Sequence, residues 1–233
     1  SCLYHDKLYL GTNQGVFMSD YPVMLNKDQE LNPVEGIVGQ IYSLAVYDDK
    51  LFCAGTTSLG VLDRDELYYI NIRGVWWVKP LQRKDRLLIA TYNGLYLLKK
   101  VAGRWKLDQK IKGKAYSSKS LYIEPITNAL WTANKEGGVY RLVLSEECDS
   151  IVREKCYNSK ELPFGNNVCI AAINGEMVIA SREGLFRYNR LKDCLERCDV
   201  LEKELSGRTA YTYIMQDSLK NIWYATDGAL KLL

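Results

Sequence analysis

The chain has 233 residues, 47% of them hydrophobic and 25% charged, and a formal net charge of +3. These values fit a globular protein with a sizeable core. They exclude a nucleic-acid surface, because no basic run extends beyond Lys99-Lys100, and a membrane helix, because no stretch approaches roughly 20 apolar residues. Five Trp and seventeen Tyr favour pleated, half-buried strands.

In chain order, Cys2 to Tyr4 reads as the end of a strand turning at His5-Asp6-Lys7 into a phrase that recurs: Leu8-Tyr9-Leu10-Gly11-Thr12-Asn13-Gln14-Gly15-Val16-Phe17. An apolar run meets a small residue, then a polar tip, then glycine and a second apolar run. Close copies lie at Leu87 to Tyr96 and Met177 to Phe186. Looser ones run from Leu51 to Leu62, Leu130 to Tyr140 and Ile222 to Gly228. The small anchors Gly11, Ala54, Ala90, Ala133, Ala180 and Ala225 are spaced about 36 to 47 residues apart, a period typical of a repeat array or propeller. The apolar half of the phrase has the length of a buried strand. The polar tip and glycine form a hairpin, because glycine can take positive φ where the chain reverses.

Each later phrase is preceded by a further strand-like run: Ile41 to Tyr47, Val75 to Leu81, Ser120 to Glu124, Val168 to Ile173 and Thr212 to Gln216. A more polar run follows at Glu66 to Arg73, Trp105 to Ile111, Ile151 to Tyr157 and Cys194 to Val200. The unit is therefore four antiparallel strands in about 43 residues, apolar at the start and polar at the end. That gradient is expected of a propeller blade, whose inner strands lie between neighbours while the outer strand meets water. The sequence predicts an all-β fold, a β-propeller of four-stranded antiparallel blades. About six repeat units fall within one region, 1–233, with boundaries near 1–38, 39–73, 74–112, 113–158, 159–205 and 206–233. The first unit holds a stub of strand one and the last stops within strand three, so an incomplete or excised propeller is expected, with no signal peptide in this chain.

Seven cysteines with irregular spacing do not form a disulfide scaffold. Cys194 and Cys198, on one strand, would lie ~13 Å apart, too far to bridge. Small buried or half-buried thiols are expected. With His5 as the only histidine and no Cys-x-x-Cys, no metal site or cofactor is predicted.

Asn221-Ile222-Trp223-Tyr224-Ala225-Thr226-Asp227-Gly228, preceded by Ile214-Met215-Gln216-Asp217, resembles the two-component regulator propeller repeat. Gly39 to Leu44, Ala90 to Leu97, Tyr157 to Pro163 and Glu183 to Asn189 resemble propellers of triple-tyrosine-motif and hybrid two-component signalling proteins of the Bacteroidetes. Ala replaces the usual Gly in most copies, and Asp217-Ser218-Leu219-Lys220 lacks the usual turn glycine. The resemblance implies a periplasmic sensor region whose parent protein continues into a β-sandwich, a membrane helix and a histidine kinase or DNA-binding output. It makes the membrane a partner only through that parent.

No nucleophile elbow or phosphate-binding glycine loop is present, and one histidine at a turn does not supply a Ser-His or Cys-His pair. The region is therefore expected to be non-catalytic. A binding role needs the blade ends formed by the entries to strand one and the hairpins between strands two and three. Candidate ligand residues there are Tyr42, Trp76, Tyr92, Asn93, Lys119, Asn167, Arg182, Tyr211 and Asp227. Aromatic faces mixed with directional hydrogen bonds suit an oligosaccharide or peptide. Neighbouring domains of the parent chain and a second subunit are further expected partners. Two other readings stay open: a propeller lyase or glycan-active enzyme with paired carboxylates, and a protein-binding scaffold with an exposed apolar patch.

Overall fold

A computed structural model of the chain describes residues 1–22, 30–83, 85–114, 116–133, 138–157, 168–181, 184–198, 211–226 and 229–233. It divides into two compact units, Ser1–Ser117 and Ser118–Leu233. Unit 1 contains three sheets. The first holds β1 (Cys2–Tyr4), β2 (Lys7–Gly11), β3 (Gly15–Asp20) and β4 (Asn32–Val38). The second holds β5 (Ile41–Tyr47), β6 (Lys50–Gly55), β7 (Leu59–Asp63) and β8 (Glu66–Ile70). The third holds β9 (Val75–Pro80), β10 (Arg86–Thr91), β11 (Gly94–Val101) and β12 (Arg104–Lys110). Unit 2 continues with β13 (Leu121–Ile123), β14 (Leu130–Ala133), β15 (Val139–Leu144) and β16 (Ile151–Tyr157). Then come β17 (Cys169–Ile173), β18 (Glu176–Ser181), β19 (Gly184–Asn189) and β20 (Cys194–Arg197), and a three-stranded sheet of β21 (Tyr211–Gln216), β22 (Ile222–Thr226) and β23 (Ala229–Leu232).

Every sheet is an antiparallel meander in sequence order, and no strand crosses over. The fold is all-β and of the β-propeller class, with three blades in each unit. The second strand is the most deeply buried in four of the six blades, β6, β10, β14 and β18, as its apolar sequence demands; in the first blade only Tyr9 of β2 is buried. Along β6 all six residues are buried, and β18 is buried from Met177 to Ser181. The fourth strands face water: β16 exposes the five residues from Val152 to Cys156.

Packing between blades explains the small anchors. A methyl group added to Gly11 would lie 2.8 Å from Ile41 Cγ2 on the first strand of the next blade. Ala54, Ala90 and Ala180 fill the matching positions and are almost wholly buried. In unit 1, one cluster packs Phe52, Val61, Val78, Ile89 and Trp105. In unit 2, Trp131, Val139, Ile179 and Phe186 form another. The hairpin glycines have one firm requirement: Gly15 sits at φ 148°, and a Cβ there would strike the Ile37 carbonyl oxygen at 2.3 Å.

Two details depart from the sequence reading. A fourth strand, β4, completes the first blade; Pro33 and Gly36 interrupt its pattern, and the β3–β4 register shifts between Gly15 and Phe17. Proline is tolerated there because an edge strand leaves one side of its backbone unpaired. Strand β20 ends at Arg197, so Cys198 lies just beyond it, its N–H donating to Leu185 O at 2.8 Å. All seven cysteines are free thiols; Cys53 and Cys148 are buried, and Cys156 is exposed. Burial pushes the Cys53 thiol far above its ordinary range.

Candidate ligand-binding site

The blade ends of unit 1 show how the backbone presents aromatic side chains. In the β5–β6 pair, Ile41 faces Gly55 and Ser43 faces Ala54, which leaves Tyr42 as the extra residue of a bulge. In the β9–β10 pair, Val75 faces Thr91 and Trp77 faces Ala90, which leaves Trp76 in the same position one blade later. A bulge bends its strand and re-aims a side chain. Here it turns Tyr42 and Trp76 toward each other, with ring centroids 4.2 Å apart. Tyr92, on the hairpin between β10 and β11, joins them at 4.9 Å from Trp76 and 6.0 Å from Tyr42.

Hydrogen bonds hold this cluster in place. The Gly74 N–H donates to Thr56 O at 3.1 Å, and the Tyr92 N–H donates to Gly74 O at 3.0 Å, tying the blade entry to two hairpins. Ser43 Oγ donates to Trp76 O at 2.7 Å, linking first strands of adjacent blades. Tyr42 Oη donates to Gln40 Oε1 at 3.2 Å and also meets the Tyr92 hydroxyl. Partial desolvation and that phenol contact push Tyr92 up to about 12. Tyr92 remains 40% exposed, and Trp76 Nε1 has no hydrogen-bond partner among the described residues. Gly74, at φ 62°, makes room for the Tyr92 ring. A Cβ on Gly74 would lie 2.4 Å from Tyr92 Cδ2.

The hairpin tips are more structural than the sequence reading gave them. Thr91 Oγ1 donates to Gly94 O at 2.8 Å and accepts the Asn93 N–H at 3.1 Å. Thr12 closes the equivalent turn of the first blade through Gly15 O and the N–H groups of Gln14 and Gly15. Ser181 repeats the donation to Gly184 O. The hydroxyl after the anchors Gly11, Ala90 and Ala180 therefore locks the hairpin in three blades. The Asn93 backbone belongs to that lock, and its side chain sits exposed at the tip.

Of the sequence-selected residues, Tyr42, Trp76, Tyr92 and Asn93 lie at one blade end of unit 1. Lys119 lies in unit 2, exposed just before β13. Burial pushes the Cys169 thiol up to about 11, and the Lys119 charge moderates the shift. Tyr211 opens β21 opposite Thr226. Asn167, Arg182 and Asp227 lie outside the described residues. Sequence reasoning did not find Gly74 or Gln40, although a glycine directly before Val75-Trp76 was a usable signal. It also did not single out Glu124.

In unit 2, Glu124 follows β13, and its side chain is 5% exposed. It accepts from Trp131 Nε1 at 2.6 Å, from Arg141 Nε at 2.8 Å and from Arg190 Nη2 at 3.2 Å, and it also meets Thr127 Oγ1. Desolvation alone would raise its pKa, but these donors outweigh it and hold the carboxyl below its usual range. The last blade repeats the device, with Trp223 Nε1 donating to Asp217 Oδ2 at 2.9 Å. Met215 and Trp223 are register partners, as are Tyr122 and Trp131, and the acid comes two residues after the first member of each pair. Among the described residues, no group of three or more His, Cys, Asp or Glu side chains is arranged to hold a metal ion. None of their helices is long and apolar enough to cross a membrane.

No protein-family model matches this sequence, and no curated protein matches it by sequence. Solved structures do match its fold. The extracellular domain of BT4673 from B. thetaiotaomicron, described as a one-component or hybrid two-component system, aligns over 100% of this chain at 18% identity and TM-score 0.69. The extracellular domain of the hybrid two-component system BT3049, from the same organism, aligns over 97% at 16% identity and TM-score 0.59. PorZ, a surface component of the type-IX secretion system of Porphyromonas gingivalis, aligns over 99% at 10% identity and TM-score 0.65. This chain spans 32%, 38% and 32% of those three chains. At such identities the likeness defines the fold: the propeller blades that the repeat predicted.

Proposed function

We propose that this chain is a non-catalytic, extracytoplasmic recognition propeller of a bacterial signal-transduction protein, either a sensor histidine kinase or a one-component regulator. The observation that carries this reading is the Tyr42, Trp76 and Tyr92 cluster, which two successive bulges and a hairpin assemble at one blade end. Likeness of this chain to part of the extracellular domains of one-component and two-component systems supports its placement outside the cytoplasm. Ring faces, two phenol hydroxyls and the Gln40 amide are chemistry suited to an oligosaccharide or a peptide. The ligand binds one packing of the propeller against its neighbouring domains, or against a second subunit, more tightly than the other. That difference in affinity biases the output.

The reading is tested by screening the chain against oligosaccharides and peptides by calorimetry, then repeating any hit with Trp76→Ala. Binding should weaken at least tenfold, since truncating a central aromatic anchor typically costs about 2 kcal/mol or more. A hit unaffected by Trp76→Ala and Tyr92→Ala would remove this site from the proposal. Unchanged signalling by the parent protein after deletion of the region would remove sensing itself.

A further inference from the structure

Unit 2 holds a cavity of about 480 Å³ between the blade β13–β16 and the blade β17–β20. It opens among the turns joining strands one to two and three to four, so it occupies the blade ends opposite the hairpins discussed above. Its volume falls within the range of small-molecule sites. Tyr122, Tyr188 and Met177 contribute its wall, and Ile126 and Leu191 are at its rim. These two rim side chains are 78% and 99% exposed, a large apolar display for two adjoining turns.

The charges around the cavity are unevenly committed. Glu124 already takes donors from Trp131, Arg141 Nε and Nη2, Arg190 and Thr127, so its acceptor capacity is used. Glu196 accepts from Lys192 Nζ at 2.9 Å and Asn189 Nδ2 at 3.0 Å, and it stands opposite Arg187 in the β19–β20 register. Arg190 gives one of its five guanidinium N–H groups to Glu124, which Arg141 already neutralises, and its side chain is 55% exposed. Arg187 lines the same cavity. Glu176 adds a negative charge at the rim, but it is exposed, and water weakens its pull on the cavity. The cavity therefore has spare donors and spent acceptors, beside ring faces and an apolar lip.

We infer that this cavity is a binding site for a small carboxylate carried on a ring or apolar body, with the carboxylate held by Arg190 and Arg187. Paired guanidiniums bind a carboxylate with directional, charge-assisted hydrogen bonds. The ligand body lies against Tyr122 and Tyr188, beneath Ile126 and Leu191. Both an acidic sugar and an N-acylated amino acid have this chemistry.

The test is calorimetric titration of the whole chain with glucuronate and N-acetyl-leucine, each beside its neutral counterpart, glucose and N-acetyl-leucinamide. At least one carboxylate should bind saturably and about tenfold or more tighter than its neutral partner, with affinity falling as salt is raised. Arg190→Gln should weaken that binding about tenfold, the scale of one charged hydrogen bond. Arg187→Gln, at the exposed position of β19, provides a second variant if the first fails to fold by circular dichroism. Leu191→Ser should weaken N-acetyl-leucine more than glucuronate, which separates the two sources. Trp76→Ala should leave both unchanged, so a failure here is distinct from a failure of the aromatic site. Equal binding of acid and neutral forms, no saturation by either acid, or wild-type affinity in both arginine variants would each overturn the inference.

Discussion

Glu124 shows how much one residue in this fold can carry. Removing a buried carboxylate from water is costly unless every lone pair finds a donor. Here an indole, two guanidiniums and a hydroxyl supply those donors. Glu124→Gln would leave the Arg141 guanidinium, only 18% exposed, without its charge partner. It should lower stability by about 3 kcal/mol, the scale of breaking a buried pair, read as a fall in the urea midpoint. A loss below about 1 kcal/mol would mean that water replaces the missing charge. Asp193 also gathers three donors, from Lys155, Tyr157 and Tyr188, but its side chain is 51% exposed. Its stability contribution is correspondingly screened.

At the scale of elements, the repeated bulge is the device that turns a regular blade into a candidate site. Tyr42 and Trp76 sit where the first strand gains one residue, and Gly74 provides the left-handed turn that seats Tyr92 beside them. Gly74→Ala should cost about 1–3 kcal/mol, because it places a non-glycine residue at positive φ, and it should also displace the Tyr92 ring. Gly103→Ala is the control: Gly103 has φ 80°, but a Cβ there would meet nothing within 4 Å. Near-ultraviolet circular dichroism should change with the first substitution and not with the second. Equal effects from both would mean that backbone strain alone matters and that the Tyr92 contact is incidental.

At the scale of the whole molecule, acid should destabilise the fold. Desolvation would raise the pKa of Asp48 and of Glu124, but ion pairs and hydrogen bonds lower both. Asp108 is lowered by Lys99 and Arg86. In the unfolded chain such groups titrate near about 3.9 for Asp and 4.3 for Glu. A carboxyl with a lower pKa in the folded state binds fewer protons there than in the unfolded state. Its stabilisation is therefore complete above the unfolded value and declines as pH falls through the folded one. Urea midpoints should stay nearly level between pH 6 and 7 and drop between about pH 4.5 and 2. A midpoint that holds at pH 3 would show that these pairs contribute little.

Much of this architecture was legible in the chain because it depends on short-range rules. The apolar run, small anchor, hydroxyl and glycine specify a buried strand and its hairpin within about ten residues, and a phrase that recurs about every 43 residues leaves little choice of topology. Local pattern also selected Tyr42, Trp76 and Tyr92. It could not show that the first two are bulge residues, since a bulge is defined by the partner strand, or that Tyr92 completes their cluster. Glu124, Arg187 and Arg190 were invisible for the same reason. They are ordinary charges in sequence, up to 66 residues apart, and only the packing of two adjacent blades makes one carboxylate saturated and two guanidiniums available. The periodicity of the sequence determined the blades. The meeting of side chains across blades, which depends on tertiary distance and burial, decided which of them gather into the clusters proposed for recognition.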